Sequence, residues 1–352
     1  FKRDFEMSWQ EVLSNEVLDI RDGTHDSPKY LDSGYPLITS KNLKQGIIDF
    51  SDVSLISEED YNNINKRSRV NKGDILYSMI GSIGNYALVN KEPHYAIKNV
   101  ALFKFIDKRL YNKYFLHLIN SFVIERQIKK AMKGGTQKFV SLKILRNLKI
   151  PLPPLDQQKK IAAILDAADA YRQKTKALIT KYDDLTQSLF LDMFGDPVSN
   201  PMGWNEVIFT EVLVLRRGFD LPRQDRIKGE YPIMASNGIL DWHNEFKVEG
   251  PGVVTGRSGT LGKVHYIEGD YWPLNTALYS QKLNGNNPIY LIYLIRNFRV
   301  ERFSRGAGVP TLNRNLVHAE TIMTVPIELQ NKFAERVQAI EAQKAQAQAS
   351  LA

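Results

Sequence analysis

A single long helical segment, residues 151–194, limits the possible folds of this chain more than any other feature. It opens with three prolines, Asp156 follows as the expected N-cap, and neither proline nor glycine occurs again before Gly195, so nothing interrupts a helix. About 37 helical residues at about 1.5 Å each make a rod about 55 Å long. Because a rod of that length needs a partner, we predict that it pairs lengthwise with a second helix.

The same segment has the periodicity of a coiled coil. Spacings of three and four residues alternate along it, and the predicted seam contains Ile161, Ile164, Ala168, Tyr171, Thr175, Leu178, Tyr182, Leu185 and Leu189. The alternative is an amphipathic helix lying on a core, which the length of the segment argues against. A shorter helix is predicted from Gln330 to about Ala352. It carries Phe333, Val337 and Ile340 in the matching register, so we expect it to be the antiparallel partner.

The chain repeats itself once. Five short segments recur in the same order: Met7–Val12 and Met202–Val207, Tyr35–Ile38 and Tyr231–Met234, Gly81–Gly84 and Gly259–Gly262, Asn99–Leu102 and Asn275–Leu278, and Pro154–Gln158 and Pro326–Gln330. A duplication of such long period differs from a solenoid, which stacks several short repeats. It predicts two copies of one domain, each followed by a helix.

Short apolar runs bounded by glycine predict strands in each copy, at 73–80, 86–89, 252–255 and 263–267. Helices are predicted near Tyr111–Lys133 and Asn287–Phe303. The predicted fold class is therefore α+β: two similar α/β domains separated by two long antiparallel coiled-coil helices, with an internal pseudo-two-fold repeat. The expected boundaries are residues 1–150 for the first domain, 151–194 for the central helix, 195–325 for the second domain and 326–352 for the C-terminal helix.

Composition narrows the setting and the partner. The chain has no cysteine, which excludes disulfides and thiol catalysis and makes the cytoplasm the expected compartment. It has no apolar run near the length of a membrane span and no apparent signal peptide. Its net charge is +8, and residues 1–150 hold 24 Lys and Arg against 17 Asp and Glu. In residues 195–325, 10 of the 14 basic residues are arginine. These charges indicate a polyanionic partner, and arginine suits phosphate and guanine edges.

The order domain, helix, domain, helix resembles the specificity (S) subunit of Type I restriction–modification enzymes. Three segments carry the resemblance: 150–158 (IPLPPLDQQ), 195–204 (GDPVSNPMGW) and 21–28 (RDGTHDSP). The first two are specific, whereas the glycine loops alone are not, and the resemblance covers essentially the whole chain. The short final helix departs from the family pattern, in which the two helices are closer in length.

The resemblance implies a non-catalytic subunit that binds double-stranded DNA. Two target-recognition domains would each read one half of a split target, and the helices would act as a ruler. The implied partners are two methyltransferase (M) subunits, which use S-adenosylmethionine to methylate adenine, and restriction (R) subunits that cleave unmethylated DNA. No cofactor or metal is expected in this chain itself, and no membrane association is expected.

Polar loops, glycine turns and basic runs supply the candidate DNA contacts. In the first domain they are Thr24, His25, Lys29, Lys41, Asn42, Ser82, Gly84, Gln137 and Lys138. In the second domain they are Arg216, Arg217, Arg223, Asn237, Arg257, Ser258, Thr260, Lys263, Arg305, Asn313 and Arg314.

Each candidate region also has an interpretation without DNA. Residues 256–263 approach the pattern of a nucleotide-binding loop, but the glycine spacing is too long and Val264 follows the lysine, so we reject ATP binding; a tight hairpin without a ligand remains possible. Asp22, His25 and Asp26 lack the spacing of a metal motif, which argues against a metal site. The alternative to DNA contact for this segment is a simple surface loop. The basic runs 126–138 and 302–314 could be solvated helix faces.

Enzyme signatures are absent from the sequence. It contains no HExxH, no G-x-S-x-G and no methyltransferase motif. A DNA methyltransferase or nuclease with fused specificity domains is the main alternative function. A structural coiled-coil adaptor is a third possibility, but it would leave the duplicated basic domains without a purpose.

Overall fold

The computed structural model describes residues 9–44, 46–132, 139–306 and 310–351. The chain divides within one long helix, between Tyr171 and Arg172, into two compact units, which we call unit 1 and unit 2. Nowhere in these described ranges does a helix have both the length and the apolar character that crossing a membrane requires.

Unit 1 alternates short strands with short helices. Its elements are β1 Glu11–Leu13, α1 Ser14–Val17, β2 Leu18–Asp22, β3 Tyr35–Ile38, β4 Leu43–Lys44, β5 Ile47–Ile48, β6 Ser54–Ile56, α2 Glu58–Ser68, β7 Ile75–Ser78, β8 Tyr86–Leu88, β9 Ala96–Ile97, β10 Val100–Phe105, α3 Asn112–Ile119, α4 Phe122–Met132, α5 Leu142–Arg146 and β11 Lys149–Pro151. The long helix α6, Leu155–Phe194, follows and continues into unit 2.

Unit 2 has the same kind of element order. It contains β12 Glu206–Ile208, α7 Phe209–Val212, β13 Val214–Arg217, β14 Tyr231–Ala235, β15 Gly238–His243, β16 Gly252–Gly256, β17 Val264–Ile267, β18 Trp272–Pro273, β19 Ala277–Lys282, α8 Pro288–Phe298, β20 Ser304–Arg305, β21 Thr311–Leu312, α9 Arg314–His318, β22 Thr321–Met323 and α10 Ile327–Ala349.

The two units share one sheet topology, which confirms the predicted internal repeat. Unit 1 has a four-stranded antiparallel sheet in the order β2-β10-β7-β8, and unit 2 has the order β13-β19-β16-β17. Each unit adds a three-stranded sheet, β6-β3-β9 or β15-β14-β18, with one antiparallel and one parallel pairing. A core of aliphatic and aromatic side chains lies under each four-stranded sheet, against α3, α4 and α5 in unit 1 and against α8 and α10 in unit 2.

A buried glutamine anchors the start of each long helix. Gln158 donates from Nε2 to the carbonyls of Arg109 and Pro153 at 2.7 and 2.8 Å, and its Oε1 accepts from Tyr111 N at 2.8 Å. Gln330 donates to the carbonyl of Val325 at 2.8 Å and accepts from Asn287 N at 2.9 Å. The repeated motifs that end in these glutamines therefore fasten each helix to the domain before it.

In unit 2, α10 packs antiparallel against the end of α6. Phe333, near the start of α10, packs on Phe190 with ring centroids 5.7 Å apart. Further along α10, the hydroxyl of Tyr182 lies 3.3 Å from Gln343 Oε1, and Lys344 forms an ion pair with Asp183. The expected antiparallel pairing is confirmed, and α10 is the shorter helix, with 23 residues against 40.

The predicted seam of α6 is only partly correct. Thr175 is buried and Ile161, Tyr182 and Leu189 are half-buried, as expected, but five predicted seam residues are exposed: Ile164, Ala168, Tyr171, Leu178 and Leu185. Thr186 is buried instead of Leu185. Its hydroxyl donates to the carbonyl of Asp183 at 2.9 Å, so a threonine can be buried there without losing a hydrogen bond. The apolar pattern of the sequence therefore predicted Leu185 as the buried residue, whereas the neighbouring Thr186 is buried.

Three further predictions need correction. Asp156 lies inside the first turn of α6, because the helix begins one residue earlier. The helix expected near 111–133 is two helices, separated where the Ser121 hydroxyl donates to the carbonyl of Leu118 at 2.6 Å; Lys133 lies outside the described residues. The helix expected near 287–303 ends at Phe298, because Arg299 adopts a left-handed φ of 57°, and a 3-10 turn follows at Val300–Phe303.

Candidate DNA interface

In unit 2 the candidate interface begins where β13 ends. Gly218 follows Arg217 and passes so close to the segment after β18 that a Cβ there would lie 2.2 Å from the carbonyl oxygen of Leu274, so only glycine fits. Phe219 N then donates to the carbonyl of Pro273 at 2.8 Å. We call residues 217–220 the unit 2 corner. Arg217 within the corner and Arg216 beside it are both exposed.

The glycine loop after β16 forms a second part of the candidate interface. A Cβ on Gly256 would lie 1.8 Å from the carbonyl oxygen of Thr260, and Gly259 and Gly262 have φ of +86° and +77°. Arg257 is held at both ends: its backbone N donates to the carbonyl of Thr276 at 2.9 Å, and its Nη1 donates to the carbonyl of Asn275 at 3.1 Å. A guanidinium has five N–H donors, so most of its fork remains available to a ligand.

A cavity of about 410 Å³ lies between the unit 2 corner, the glycine loop, the β20–β21 hairpin and the start of α9. Its described lining holds no carboxylate and four arginines, Arg217, Arg257, Arg305 and Arg314. The other lining residues are Leu278, Thr311, Leu312, Asn313 and Asn315. The sequence predicted all four of these arginines and Asn313 as DNA contacts, and the structure brings them to one place. Asn313 also accepts from Asn315 N at 3.0 Å and so caps α9.

A side-chain hydrogen bond joins the corner of unit 2 to Asn275. Asn275 Nδ2 donates to Asp220 Oδ1, and Asp220 lies 3.6 Å from Arg217 Nη2. Asp220 and Asn275 were not predicted as site residues. The recurrence of asparagine at 99 and 275 within the repeat was the available signal, but the contact itself joins residues 55 positions apart in the sequence.

Unit 1 has the same corner at residues 22–25. A Cβ on Gly23 would lie 2.2 Å from the carbonyl oxygen of Ile97, and Thr24 N donates to that carbonyl at 3.0 Å. His25 Nδ1 lies 2.8 Å from Asn99 Oδ1, and Nε2 lies 2.9 Å from Asp22 Oδ2. Asp22 is also paired with Arg67, a residue that the sequence did not predict as a DNA contact. The asparagine therefore touches the corner in both units.

These contacts raise the pKa of His25. The hydrogen bond to Asn99 is the largest cause and the hydrogen bond to Asp22 is next, while partial burial and, more weakly, the Arg67 charge oppose them. Both ring nitrogens face oxygen atoms, so the doubly protonated imidazolium satisfies both contacts. The side chain is 59% exposed, which leaves the ring accessible to a ligand.

The cavity beside the unit 1 corner has a different character. It measures about 490 Å³ and is lined by residues 23–28 together with Asp60, Asn63, Ile64, Arg67 and Ser68. Carboxylates and cations are mixed there, in contrast to the arginine lining in unit 2. Met79 takes the position of Arg257, because Val140 N donates to the Met79 carbonyl at 2.9 Å just as Leu312 N donates to the Arg257 carbonyl at 2.7 Å.

Other predicted contacts cluster at the turns that touch the glycine loops. A Cβ on Gly81 would lie 3.9 Å from Ser40 Oγ, and one on Gly259 would lie 3.8 Å from Ser236 Oγ. These serines precede Lys41 in unit 1 and Asn237 in unit 2, which are both exposed. Ser82 is exposed, while Gly84, Ser258 and Thr260 are half-buried within the glycine loops themselves.

The remaining predicted DNA contacts fall into three groups. Asn42 has a structural role instead of a DNA contact, because it is 2% exposed and its amide is used by Thr39, Asp49 and Asp52. Gln137 and Lys138 lie outside the described residues. The last three are exposed but lie outside the lining of the two cavities: Lys29, Arg223 and Lys263.

A metal centre finds no support in the described ranges, since no three His, Asp or Glu side chains are grouped there to hold an ion. Asp22, His25 and Arg67 form a hydrogen-bonded ion-pair network instead.

Comparison with known sequences identifies the class of protein. The family model described as Type I restriction modification DNA specificity domain matches twice, over residues 6–181 and 201–350. The chain therefore belongs to this family and contains two copies of its domain.

Two curated relatives agree with this assignment. The Type I restriction enzyme EcoBI specificity subunit of Escherichia coli is 24% identical over 195 residues, which cover 53% of this chain and 41% of that protein. The MjaVIII specificity subunit of Methanocaldococcus jannaschii is 26% identical over 193 residues, 52% of this chain and 45% of that protein. The matches thus span less than half the length of either relative.

A solved structure shares the fold. The Type I restriction–modification system S subunit from M. genitalium matches with a TM-score of 0.63 at 17% identity, over 100% of this chain and 94% of that one. A chain from a structure titled for complex assembly and conformational transition of the type I R-M system gives 0.63 as well, at 17% identity, over 97% of this chain and 92% of that one.

Proposed function

We propose that this protein is the DNA-recognition subunit of a Type I restriction–modification complex, in which each unit reads one half of a split target. The observation that carries this function is the duplication of the specificity domain, with a similar corner and glycine loop in each copy. The chain itself has no catalytic role in this proposal.

The arginine-lined cavity supports DNA as the ligand. Four guanidinium groups around about 410 Å³ attract a polyanion, and a guanidinium fork can bind phosphate or the O6 and N7 atoms of guanine. Backbone at the glycine loop can approach a phosphate closely because no side chains obstruct it. Unit 2 would therefore bind its half-site more electrostatically than unit 1.

Protein partners are supported by α6. Ile164, Tyr171, Leu178 and Leu185 recur every seven residues and are exposed by 42–69%, so they line one face of the helix. The segment 151–194 holds six basic and six acidic residues, and a neutral apolar stripe fits a protein better than DNA. We propose that methyltransferase subunits dock on it, two per chain, with S-adenosylmethionine bound by those subunits and with restriction subunits joining the complex.

Methylation-sensitive sequencing tests the whole proposal. Cells that express this chain with its methyltransferase partner should acquire adenine methylation at one split sequence, and cells that express either protein alone should not. Methylation without a common sequence, or methylation that needs only the partner, would contradict a recognition role.

Binding of S-adenosylmethionine by the purified chain tests its non-catalytic part. Calorimetry should detect no binding to the chain alone and clear binding to the complex. Binding to the chain alone would favour a methyltransferase with fused specificity domains.

A further inference from the structure

Unit 2 exposes large apolar side chains on its three-stranded sheet. Ile239 and Trp242 on β15 are 54% and 45% exposed. They pair with Met234 and Pro232 on β14, and directly opposed residues of an antiparallel pair share a face. Leu240, 49% exposed, is the extra residue of a bulge between them. We call Pro232, Ile239 and Trp242 the unit 2 patch.

Unit 1 exposes a comparable patch around the equivalent proline. Pro36, Ile47 and Phe50 line a cavity of about 460 Å³, and Ile47 and Phe50 are 61% and 49% exposed. We call these three residues the unit 1 patch. Tyr95 also lines the cavity; it is 6% exposed, and its hydroxyl has no hydrogen-bond partner in the described part of the chain.

The two patches occupy the same place in the repeat. Pro36 and Pro232 hold the same position in the matching strands β3 and β14. The residues two positions later, Ile38 and Met234, are buried in matching core clusters, and these clusters also contain Tyr95 and Tyr271. The apolar side chains around each proline come from different local structures, β5 with its following turn in unit 1 and the edge strand β15 in unit 2. The exposed apolar character therefore recurs although the segments that supply it differ.

The charges around the patches disfavour DNA. Residues 230–249 of unit 2 contain four exposed carboxylates and one lysine: Glu230, Asp241, Glu245, Glu249 and Lys247. Near the unit 1 patch, Lys44 is paired with Asp49 at 2.5 Å and Lys41 with Asp52 at 3.0 Å. Neither surface offers the surplus of cations that a polyanion requires, whereas exposed aromatic and aliphatic side chains beside polar groups are typical of protein interfaces.

We propose that each patch docks one copy of the methyltransferase subunit, as a second contact separate from α6. The partner segment presents large apolar side chains to the patch, and cations that face the acidic rim in unit 2. A surface that recurs in both units suits a partner that binds once to each. This inference rests on the proposed function and adds a second place on this chain where the methyltransferase subunit binds.

Paired serine substitutions test the docking sites. Ile239→Ser with Trp242→Ser removes the unit 2 patch, and Ile47→Ser with Phe50→Ser removes the unit 1 patch. Ile208→Ser in unit 2 and Ile106→Ser in unit 1 are matched controls, because those side chains are 45% and 64% exposed on other segments. All the substituted side chains are exposed, so an unchanged melting temperature is expected. The purified methyltransferase subunit is titrated into each variant, and light scattering counts the bound copies.

Each patch variant should weaken one of the two binding events about tenfold or more, the size of effect that an aromatic interface anchor gives, and the controls should match the parent chain. DNA binding by each variant without the partner should be unchanged. Equal methyltransferase affinity in parent and patch variants would overturn the docking proposal alone. Weaker DNA binding with intact methyltransferase binding would also overturn it and would make the patches DNA surfaces. A parent chain that binds no methyltransferase would overturn the proposed function as well.

Discussion

At the scale of single residues, the corner holds opposite charges in the two units. In unit 1 the residue before the glycine is Asp22 and the residue two positions after it is His25; in unit 2 they are Arg217 and Asp220. Both outer residues are hydrogen-bonded to the matching asparagine. A similar backbone thus carries different polar groups in the two units.

Replacement of Arg257 tests whether the glycine loop reads bases, as the proposed function requires. Arg257→Ala should relax recognition at one position of one half-site, with a loss of about 1–3 kcal/mol on the correct sequence, because a bidentate base contact is removed. Arg257→Lys is the matched variant: it keeps the charge and loses the fork, so it should show most of the same relaxation. The measurement is DNA affinity across single-base variants of the target.

The alternative role for Arg257 predicts a different result. Equal losses on every DNA sequence, with affinity restored by lysine, would assign Arg257 to a phosphate. No loss at all would remove it from the interface.

His25 gives a prediction about protonation. Its pKa should lie above the ordinary value of about 6.5, because Asn99 and Asp22 stabilise the charged ring while Arg67 opposes them. A raised pKa in the folded protein means that the stabilisation is fully present below about pH 6.5 and is lost as the pH rises through the folded value. NMR titration of the His25 ring should show a lower pKa in Asn99→Ala than in the parent chain. An unchanged pKa would mean that the asparagine contact does not form.

The residue-scale features were predictable to different degrees. Arginines stand out in the sequence by type and by their place in glycine-rich turns, so Arg217, Arg257, Arg305 and Arg314 could be selected. Asp220 could not, because an acidic residue is not expected among DNA contacts until its partner Asn275 is known. Asn42 failed for the opposite reason: a polar side chain in a turn looks like a surface contact, but backbone groups of its own turn satisfy it.

At the scale of elements, the helix pair separates buried from exposed apolar residues. Phe190→Ala should destabilise unit 2 by about 3–5 kcal/mol, because Phe190 is fully buried and its removal leaves a cavity. Leu185→Ser, on the exposed side of the same helix, should change stability by no more than about 0.5 kcal/mol. Urea denaturation of both variants measures the difference. A large loss of stability in Leu185→Ser would favour the seam that the sequence predicted, in which Leu185 is buried.

The electrostatics of α6 can be tested separately. Replacement of Lys174, Lys176 and Lys181 together by alanine should leave the salt dependence of DNA binding nearly unchanged, because the helix is electrically neutral overall and is proposed to bind protein. If all three touched phosphates, the slope of log K against log salt would fall by about 0.9 for each. Measurements of DNA affinity between low and moderate salt distinguish these outcomes.

Element types followed well from the sequence, while faces and ends did not. Glycine-bounded apolar runs located β7, β8, β16 and β17, and the uninterrupted segment located α6. The face of α6 was misassigned because a threonine that donates to its own helix can replace a leucine at a buried position. The ends of α3 and α8 depended on one serine hydroxyl and one left-handed arginine, which periodicity does not report.

At the scale of the whole molecule, the duplication divides the proposed DNA contacts between the two units. The contacts of His25 all lie in unit 1, and those of Arg257 all lie in unit 2. Substitutions that share no partner usually have additive effects, within about 0.5 kcal/mol. We therefore expect His25→Ala to weaken recognition of one half-site and Arg257→Ala to weaken recognition of the other.

The double variant completes this prediction. Its loss of affinity for the full target should equal the sum of the two single losses, and DNA that carries a single half-site should respond to one substitution only. The measurement compares the parent, the two single variants and the double variant on four DNAs that carry both half-sites, either one or neither. If both substitutions affected the same half-site, or if the double variant lost much less than the sum, the two copies would act on one shared sequence. The interpretation of the repeat as two independent readers would then be wrong.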